Sequence, residues 1–219
     1  MKGDLLLKVL GLPEKDRLKL AEALAAGLGM KLVSADGSAP TAEKVEAKPA
    51  GEIQRPTGDD LHVWTDGSCL VNPGGPGGWG VVLVPQSGEI REMSGNNPQT
   101  TNNKMELTAI LEGLKASPTS VKVRVFTDSE YAIKALTVWW KSWMKNDWKT
   151  AGGAPAANVE LIKAIIEEMR VRKVAFEWVR GHAGTPGNER ADALASAAAR
   201  EAQGAVVDVS AVPQEELAG

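Results

Sequence analysis

Cysteine is nearly absent from this chain. Cys69 stands alone in 219 residues, so no internal disulfide can form, and a reducing compartment suits the composition. Histidine is almost as scarce, with only His62 and His182. No strong charge of either sign is present. The formal net charge is −3, so the global field is weakly repulsive to a polyanion, and any nucleic acid would have to be met by a local cluster of Lys and Arg. Long apolar runs are missing too, which excludes a bilayer-spanning helix as an expectation. The opening stretch "MKGDLLLKVLGLPEKDRLKL" carries an early Asp4 and lacks a small-residue cleavage site, so it is a poor signal peptide. The expectation is a cytoplasmic protein with no membrane partner. Apolar residues at 43% and charged residues at 24% are what a globular chain needs for one full core plus an appendage.

In residues 1–33, Leu18, Ala21, Leu24, Ala25 and Leu28 recur at helical spacing, with Glu14, Lys15, Lys19 and Glu22 off the stripe. Pro13 suits the first turn of a second helix. This predicts a small helical hairpin, too short to bury much surface alone, which must dock on the main domain, pair with its own copy or bind another protein. Residues 34–59 are rich in Ala, Pro, Gly and charge without apolar periodicity and read as a flexible linker. The main domain is expected over 60–203, and 204–219 reads as a C-terminal tail.

Within that domain a β-branched run starting at Leu61 ends at Asp66, followed by "WGVVLV" and "EIREMSG" as meander strands. "TNNKMELTAILEGLKA" reads as a helix capped near Thr101 or Asn102. "VKVRVFTD" alternates as a strand and ends, like the first, on Thr-Asp. Helical segments follow over 129–146 and 158–170, then the strand "KVAFEWV" and the helix "NERADALASAAAREA". That order predicts an α/β fold with a mixed five-stranded sheet flanked by helices.

The acids carry the chemistry. A helix between strand one and "VKVRVFTD" lets the two strands lie parallel and adjacent through a right-handed crossover, which sets Asp66 beside Asp128. Two carboxylates that close raise each other's pKa unless a cation neutralises them. An all-oxygen ligand set selects Mg²⁺ or Mn²⁺, since no paired Cys or His is nearby in sequence to attract zinc. Glu106, in the first turns of the crossover helix, reaches the same spot, and Asp192 near the start of the last helix is the candidate fourth ligand. His182, framed by Gly181 and Gly184 in a loop, is the candidate proton carrier, whereas His62 lies inside a strand.

"TDGSCLVNPGGPGGWG", "TTNNKMEL", "FTDSEYA" and "VRGHAGTPGNERADALA" occur in the order and approximate spacing of the type 1 ribonuclease H family, over roughly residues 61–203. The chain resembles the bacterial members of that family. The resemblance implies a ribonuclease H-like fold and an endonuclease that cuts the RNA strand of an RNA/DNA hybrid with two Mg²⁺ ions, Mn²⁺ being an acceptable substitute, leaving a 5′-phosphate and a 3′-hydroxyl. By motif, Asp66 would bridge both ions, Asp192 would share the ion that activates water, and Glu106 and Asp128 would hold the ion at the leaving oxygen. His182 falls where the family has its auxiliary histidine. The resemblance also implies contacts to the RNA 2′-hydroxyls from Asn72, Asn102, Asn103 and Glu130. It assigns Trp143 and Trp148, interleaved with Lys141, Lys145 and Lys149, to a substrate-handling protrusion. Thr101 and Asn158 match its DNA-phosphate pocket, while Trp139 and Trp140 are expected in the core. Cys69 resembles a substrate-contact position, although burial is what a lone Cys usually seeks.

One departure stands out. After "DWKT" the best-known bacterial members carry a lysine-rich stretch, whereas this chain has the uncharged "AGGAPAAN". Each lost phosphate contact weakens binding and flattens its salt dependence by about one unit of log-log slope, and the N-terminal appendage or a partner is expected to compensate. Competing readings are a non-catalytic RNA/DNA hybrid or duplex-RNA binding module on the same fold, and a related nuclease with another substrate. Retention of Asp66, Glu106, Asp128 and Asp192 together with His182 argues against the first. The asparagine set and the His182 loop argue against the second. The catalytic domain is expected to act as a monomer.

Overall fold

The computed structural model describes residues 51–207, with side chains to residue 204. The hairpin expected over 1–33, most of the linker and the tail beyond 207 lie outside the described residues. Of the linker, residues 51–59 are described: they have no regular structure, Pro56 is buried, and Arg55 Nη1 donates to the Pro85 carbonyl at 3.0 Å.

Five strands form one sheet in the order β3-β2-β1-β4-β5. These are β1 (Asp60–Cys69), β2 (Gly77–Val84), β3 (Arg91–Asn97), β4 (Lys122–Thr127) and β5 (Lys173–Trp178). β1, β2 and β3 pair antiparallel, while β4 and β5 run parallel to β1 and to each other. The mixed α/β sheet expected from the sequence is present, with β1 and β4 adjacent and parallel. The helices are α1 (Asn102–Lys115), α2 (Glu130–Lys134), α3 (Trp140–Lys145), α4 (Val159–Arg170) and α5 (Pro186–Val207).

Alternation in the strands sends each side chain to a defined layer. Leu61, Val63, Val123 and Val125 join Leu107, Ile110 and Leu114 of α1 and Ile162, Ile165 and Ile166 of α4 in the larger core. The last three, at helical i, i+3 and i+4, are what fasten α4 to the sheet, each worth about 1.5–3 kcal/mol on burial. On the opposite face Trp64, Phe126, Val82 and Val84 pack with Ala191 of α5.

Three expectations need correction. β1 does not end at Asp66: it continues to Cys69, because Asp66, Gly67, Ser68 and Cys69 keep pairing with Gly80, Trp79, Gly78 and Gly77 of β2. Only the parallel ladder to β4 stops short, at Trp64–Phe126. The helix expected over 129–146 is interrupted between α2 and α3 by a π-helical turn, Ala135–Trp139. α5 runs past the expected end of the domain, through Gly204 to Val207, because nothing there breaks it: the small face of Ala195, Ala198, Ala199 and Ala202 remains buried. Among the described residues, no helix is long and apolar enough to cross a membrane.

Candidate active site

Three acids meet where the β1–β4 ladder opens. Ligand oxygens of Asp66 (β1), Glu106 (α1) and Asp128 (just after β4) all lie within 4.8 Å of one another. Each is delivered by a separate piece of local structure. Asp66 is held by the continuing β2 pairing, and its Oδ1 accepts the Gly67 N–H at 2.8 Å. Glu106 is carried by the start of α1, which Thr101 caps by accepting the Lys104 N–H at 3.3 Å. Asp128 follows the last β4 residue, and its carbonyl accepts the Trp178 Nε1–H at 3.0 Å.

Glycine makes this convergence sterically possible. A Cβ on Gly67 would lie 2.2 Å from the Glu106 backbone nitrogen, so α1 can press its first turn against β1 only if residue 67 has no side chain. Across the sheet, a Cβ on Gly80 would lie 2.2 Å from the Ala191 carbonyl. Gly80 pairs directly with Asp66, so the same absence lets α5 lie flush on the sheet and bring Asp192 alongside. The glycines after Asp66 are thus clearance for two helices arriving from opposite faces.

Asp192 stands outside the three-acid cluster but close enough to act on it, since its charge bears on Asp66. Ser196 Oγ, one turn on, donates to Asp192 Oδ1 at 3.3 Å. His182 is 80% exposed with Nδ1 3.7 Å from Asp192 Oδ2, and its φ of 51° puts it in the left-handed region. The loop that carries it is tied to α5 where Glu189 Oε1 accepts the Gly184 N–H at 3.1 Å.

The electrostatics are those of an uncompensated anionic pocket. Burial, then the charges of Asp128 and Asp192, push the Asp66 carboxyl up to about 8 from an ordinary 3.8. Burial followed by the Asp66 and Asp128 charges holds Glu106 well above its usual range. Asp66 is 7% and Glu106 8% exposed, and Glu106 Oε2 is buried with no hydrogen-bond partner. A buried, unpartnered carboxylate oxygen facing two other acids fits a hard divalent cation.

The expected substrate residues fall into separate groups. Asn72, in the β1–β2 loop, accepts the Asn102 N–H on Oδ1 at 3.2 Å, which ties that loop to the start of α1 beside Thr101 and Asn103. Glu130 opens α2 and pairs with Lys134 at 2.6 Å. Asn158 has φ 58° and donates from Nδ2 to Tyr131 Oη at 3.0 Å. Trp139, Trp140, Trp143 and Trp148 are all half-buried against the larger core, so the expected division between two core and two substrate rings is not seen. Trp143 lies 5.6 Å from Trp139 between ring centroids, and Lys163 Nζ sits 5.2 Å above Trp148. The uncharged 151–158 stretch folds back on itself, with Lys149 bridged to Pro155. Half-buried Cys69 donates its Sγ–H to the Val71 carbonyl at 3.2 Å. His62 packs edge-on against Phe126 at 4.9 Å, as a strand histidine should.

Sequence reasoning missed the supports: Trp178 on the Asp128 carbonyl, Ser196 on Asp192, and Gly181, where a Cβ would lie 2.3 Å from Asp128 Oδ2. The i, i+4 spacing of Asp192 and Ser196 was a usable signal. The other two depend on where β5 ends relative to β4.

Known proteins resemble this arrangement closely. The RNase H family model matches residues 58–200. The ribonuclease H of Bordetella bronchiseptica is 48% identical over 147 residues, which covers 67% of this chain and 94% of that one. The ribonuclease HI of Pseudomonas aeruginosa is 46% identical over 138 residues, 63% of this chain and 92% of that one. Among solved structures, LC9-RNase H1, described as a type 1 RNase H with the type 2 active-site motif, matches with a TM-score of 0.58 at 32% identity, covering 73% of this chain and 84% of that one. A match of that extent, on a sheet of this topology with its acids gathered at one point, means that the chain belongs to the ribonuclease H family and is an enzyme of it.

Proposed function

We propose that the protein hydrolyses the RNA strand of RNA/DNA hybrids endonucleolytically, using two divalent ions and leaving 5′-phosphate and 3′-hydroxyl ends. The observation that carries this reading is the meeting of the Asp66, Glu106 and Asp128 oxygens within 4.8 Å, with Asp192 bearing on Asp66. These four side chains would hold the ions, Mg²⁺ or Mn²⁺, which when bound supply an activated water and neutralise charge on the leaving oxygen.

The chain's own groups do the rest. Asp66, with Glu106 and Asp128 within 4.8 Å and the Asp192 charge bearing on it, would be the acid shared between two ions. His182, exposed and beside Asp192, takes or gives a proton at the phosphate or helps the product leave. Asn72, Asn102 and Asn103 gather at one edge of the site and, with Glu130, offer donors and acceptors to 2′-hydroxyls, which DNA lacks. Thr101, Asn158, Trp143 and Trp148 are the proposed contacts to the DNA strand.

A module that only bound hybrid would be better off without the buried acids. Replacing unpaired buried charges by apolar residues usually stabilises a fold, so keeping Asp66 and Glu106 together makes sense where a cation completes them.

The test is a substrate panel. Labelled RNA/DNA hybrid, single-stranded RNA and duplex DNA are incubated with the full chain in Mg²⁺ or in chelator, alongside Asp128→Asn. Cleavage confined to the RNA of the hybrid, dependent on metal and lost in the variant, is expected. Equal cleavage of all three substrates, or cleavage in chelator, refutes the assignment.

A further inference from the structure

Trp178 is the last residue of β5, opposite Thr127 of β4, and it is 52% exposed. A tryptophan ring carries a large apolar face and a polar N–H, which suits it to a binding surface. This one is also held in place: its Nε1–H is committed to the Asp128 carbonyl at 3.0 Å, so the ring cannot swing away from the edge of the acid cluster. Beside it, Trp178, Ile133, Lys134 and Glu130 line a cleft of about 230 Å³.

The chemistry of the walls specifies the occupant. Trp178 and Ile133 give an apolar floor, and Lys134 and Glu130 give one cation and one anion at the rim. The latter two pair at 2.6 Å, with side chains 51% and 65% exposed. An exposed pair of that kind adds little to stability, so it can open at little cost. A ligand with a flat or puckered apolar face, a hydroxyl and a phosphate satisfies all four side chains at once. The cleft lies next to the proposed site, since Trp178 donates to the Asp128 backbone carbonyl and Glu130 follows Asp128 by two residues.

We infer that this cleft is a subsite for a ribonucleotide neighbouring the one that is cut. Its sugar packs on Trp178 and Ile133, its phosphate draws Lys134 away from Glu130, and the released Glu130 carboxylate accepts from a 2′-hydroxyl. The inference rests on the reading of the chain as a hybrid nuclease and adds to it an aromatic contact on the RNA strand.

Two substitutions test it in the full chain. Trp178→Ala removes ring and N–H, whereas Trp178→Phe keeps a ring and loses the N–H. Steady-state cleavage of a hybrid in Mg²⁺ should give a KM raised about tenfold for Trp178→Ala, as expected for one lost nucleotide–aromatic contact, and a KM near the wild-type value for Trp178→Phe. A KM unchanged in Trp178→Ala overturns the inference. So does a KM raised equally in both variants, which would assign the effect to the Asp128 anchor. If the wild-type chain does not cut hybrid at all, the underlying reading fails and the subsite with it. Exposure of the ring makes misfolding a minor risk, and matching circular dichroism and Tm across the three proteins excludes it.

Discussion

Asp66→Asn is expected to abolish hydrolysis while making the metal-free protein more stable. Activity should fall about a thousandfold or more, a barrier increase of about 4 kcal/mol, because one of the three acids whose oxygens meet within 4.8 Å is gone. Stability should move the other way. The Asp66 carboxyl sits at about 8 in the folded chain against an ordinary 3.8, so between those values the native state holds a proton that the unfolded chain has lost. A group raised in this way contributes its full stability below about pH 4, and that contribution is lost as pH rises through 8. The metal-free wild type should therefore lose Tm steadily from about pH 4 to about pH 8. In Asp66→Asn that slope should shrink, leaving the variant more stable at pH 8 by about 5 °C. Saturating Mg²⁺ should restore the wild type at pH 8 by binding only the folded state, and do much less for the variant. Thermal melts at several pH values, with and without Mg²⁺, measure all of this. A variant less stable than wild type at pH 8 without metal would mean that Asp66 is not the strained acid described here.

Gly67→Ala should be the most damaging substitution that leaves every functional group in place. Its Cβ would lie 2.2 Å from the Glu106 nitrogen, 2.5 Å from the Met105 carbonyl carbon and 2.8 Å from the Glu106 Cα. All three are backbone atoms, so no rotamer change relieves the clash and the start of α1 must move. Overpacking of this kind costs about 3 kcal/mol, and a displacement of about 1 Å at a reacting group costs about a hundredfold in rate. Both losses should appear together, in Tm and in kcat. Gly204→Ala is the control: nothing lies within 4 Å of its added Cβ, and it is a helical position. It should stabilise the chain by about 1 kcal/mol with unchanged kcat. Wild-type activity and stability in Gly67→Ala would show that α1 does not bear on β1 as described.

Much of this site is legible in the sequence, and what is not has a physical reason. Asp66, Glu106 and Asp128 could be grouped because strand, crossover helix and parallel strand leave few topologies open. The end of β1 is not legible because "TDGSC" followed by prolines and glycines resembles a turn. Its pairing partner, "GGWG", is equally poor in side chains, so alternation is silent just where the ladder continues. The π-helical turn at Ala135–Trp139 escapes any periodicity argument because it occupies a single turn. The roles of Trp178 and Gly181 depend on the parallel β4–β5 register, which no local pattern reports. The four half-buried tryptophans of the 139–148 region could not be sorted in advance, since a ring can touch the core with one face and keep the other in water.

The account stands on acids brought together for a cation, and anomalous diffraction from crystals of the wild-type chain soaked in Mn²⁺ tests that without reference to activity. The predicted result is a strong peak at coordination distance, about 2.1 Å, from carboxylate oxygens of Asp66, Glu106 and Asp128. Peaks elsewhere on the molecule at saturating Mn²⁺, with those three carboxylates bound to nothing, would contradict it.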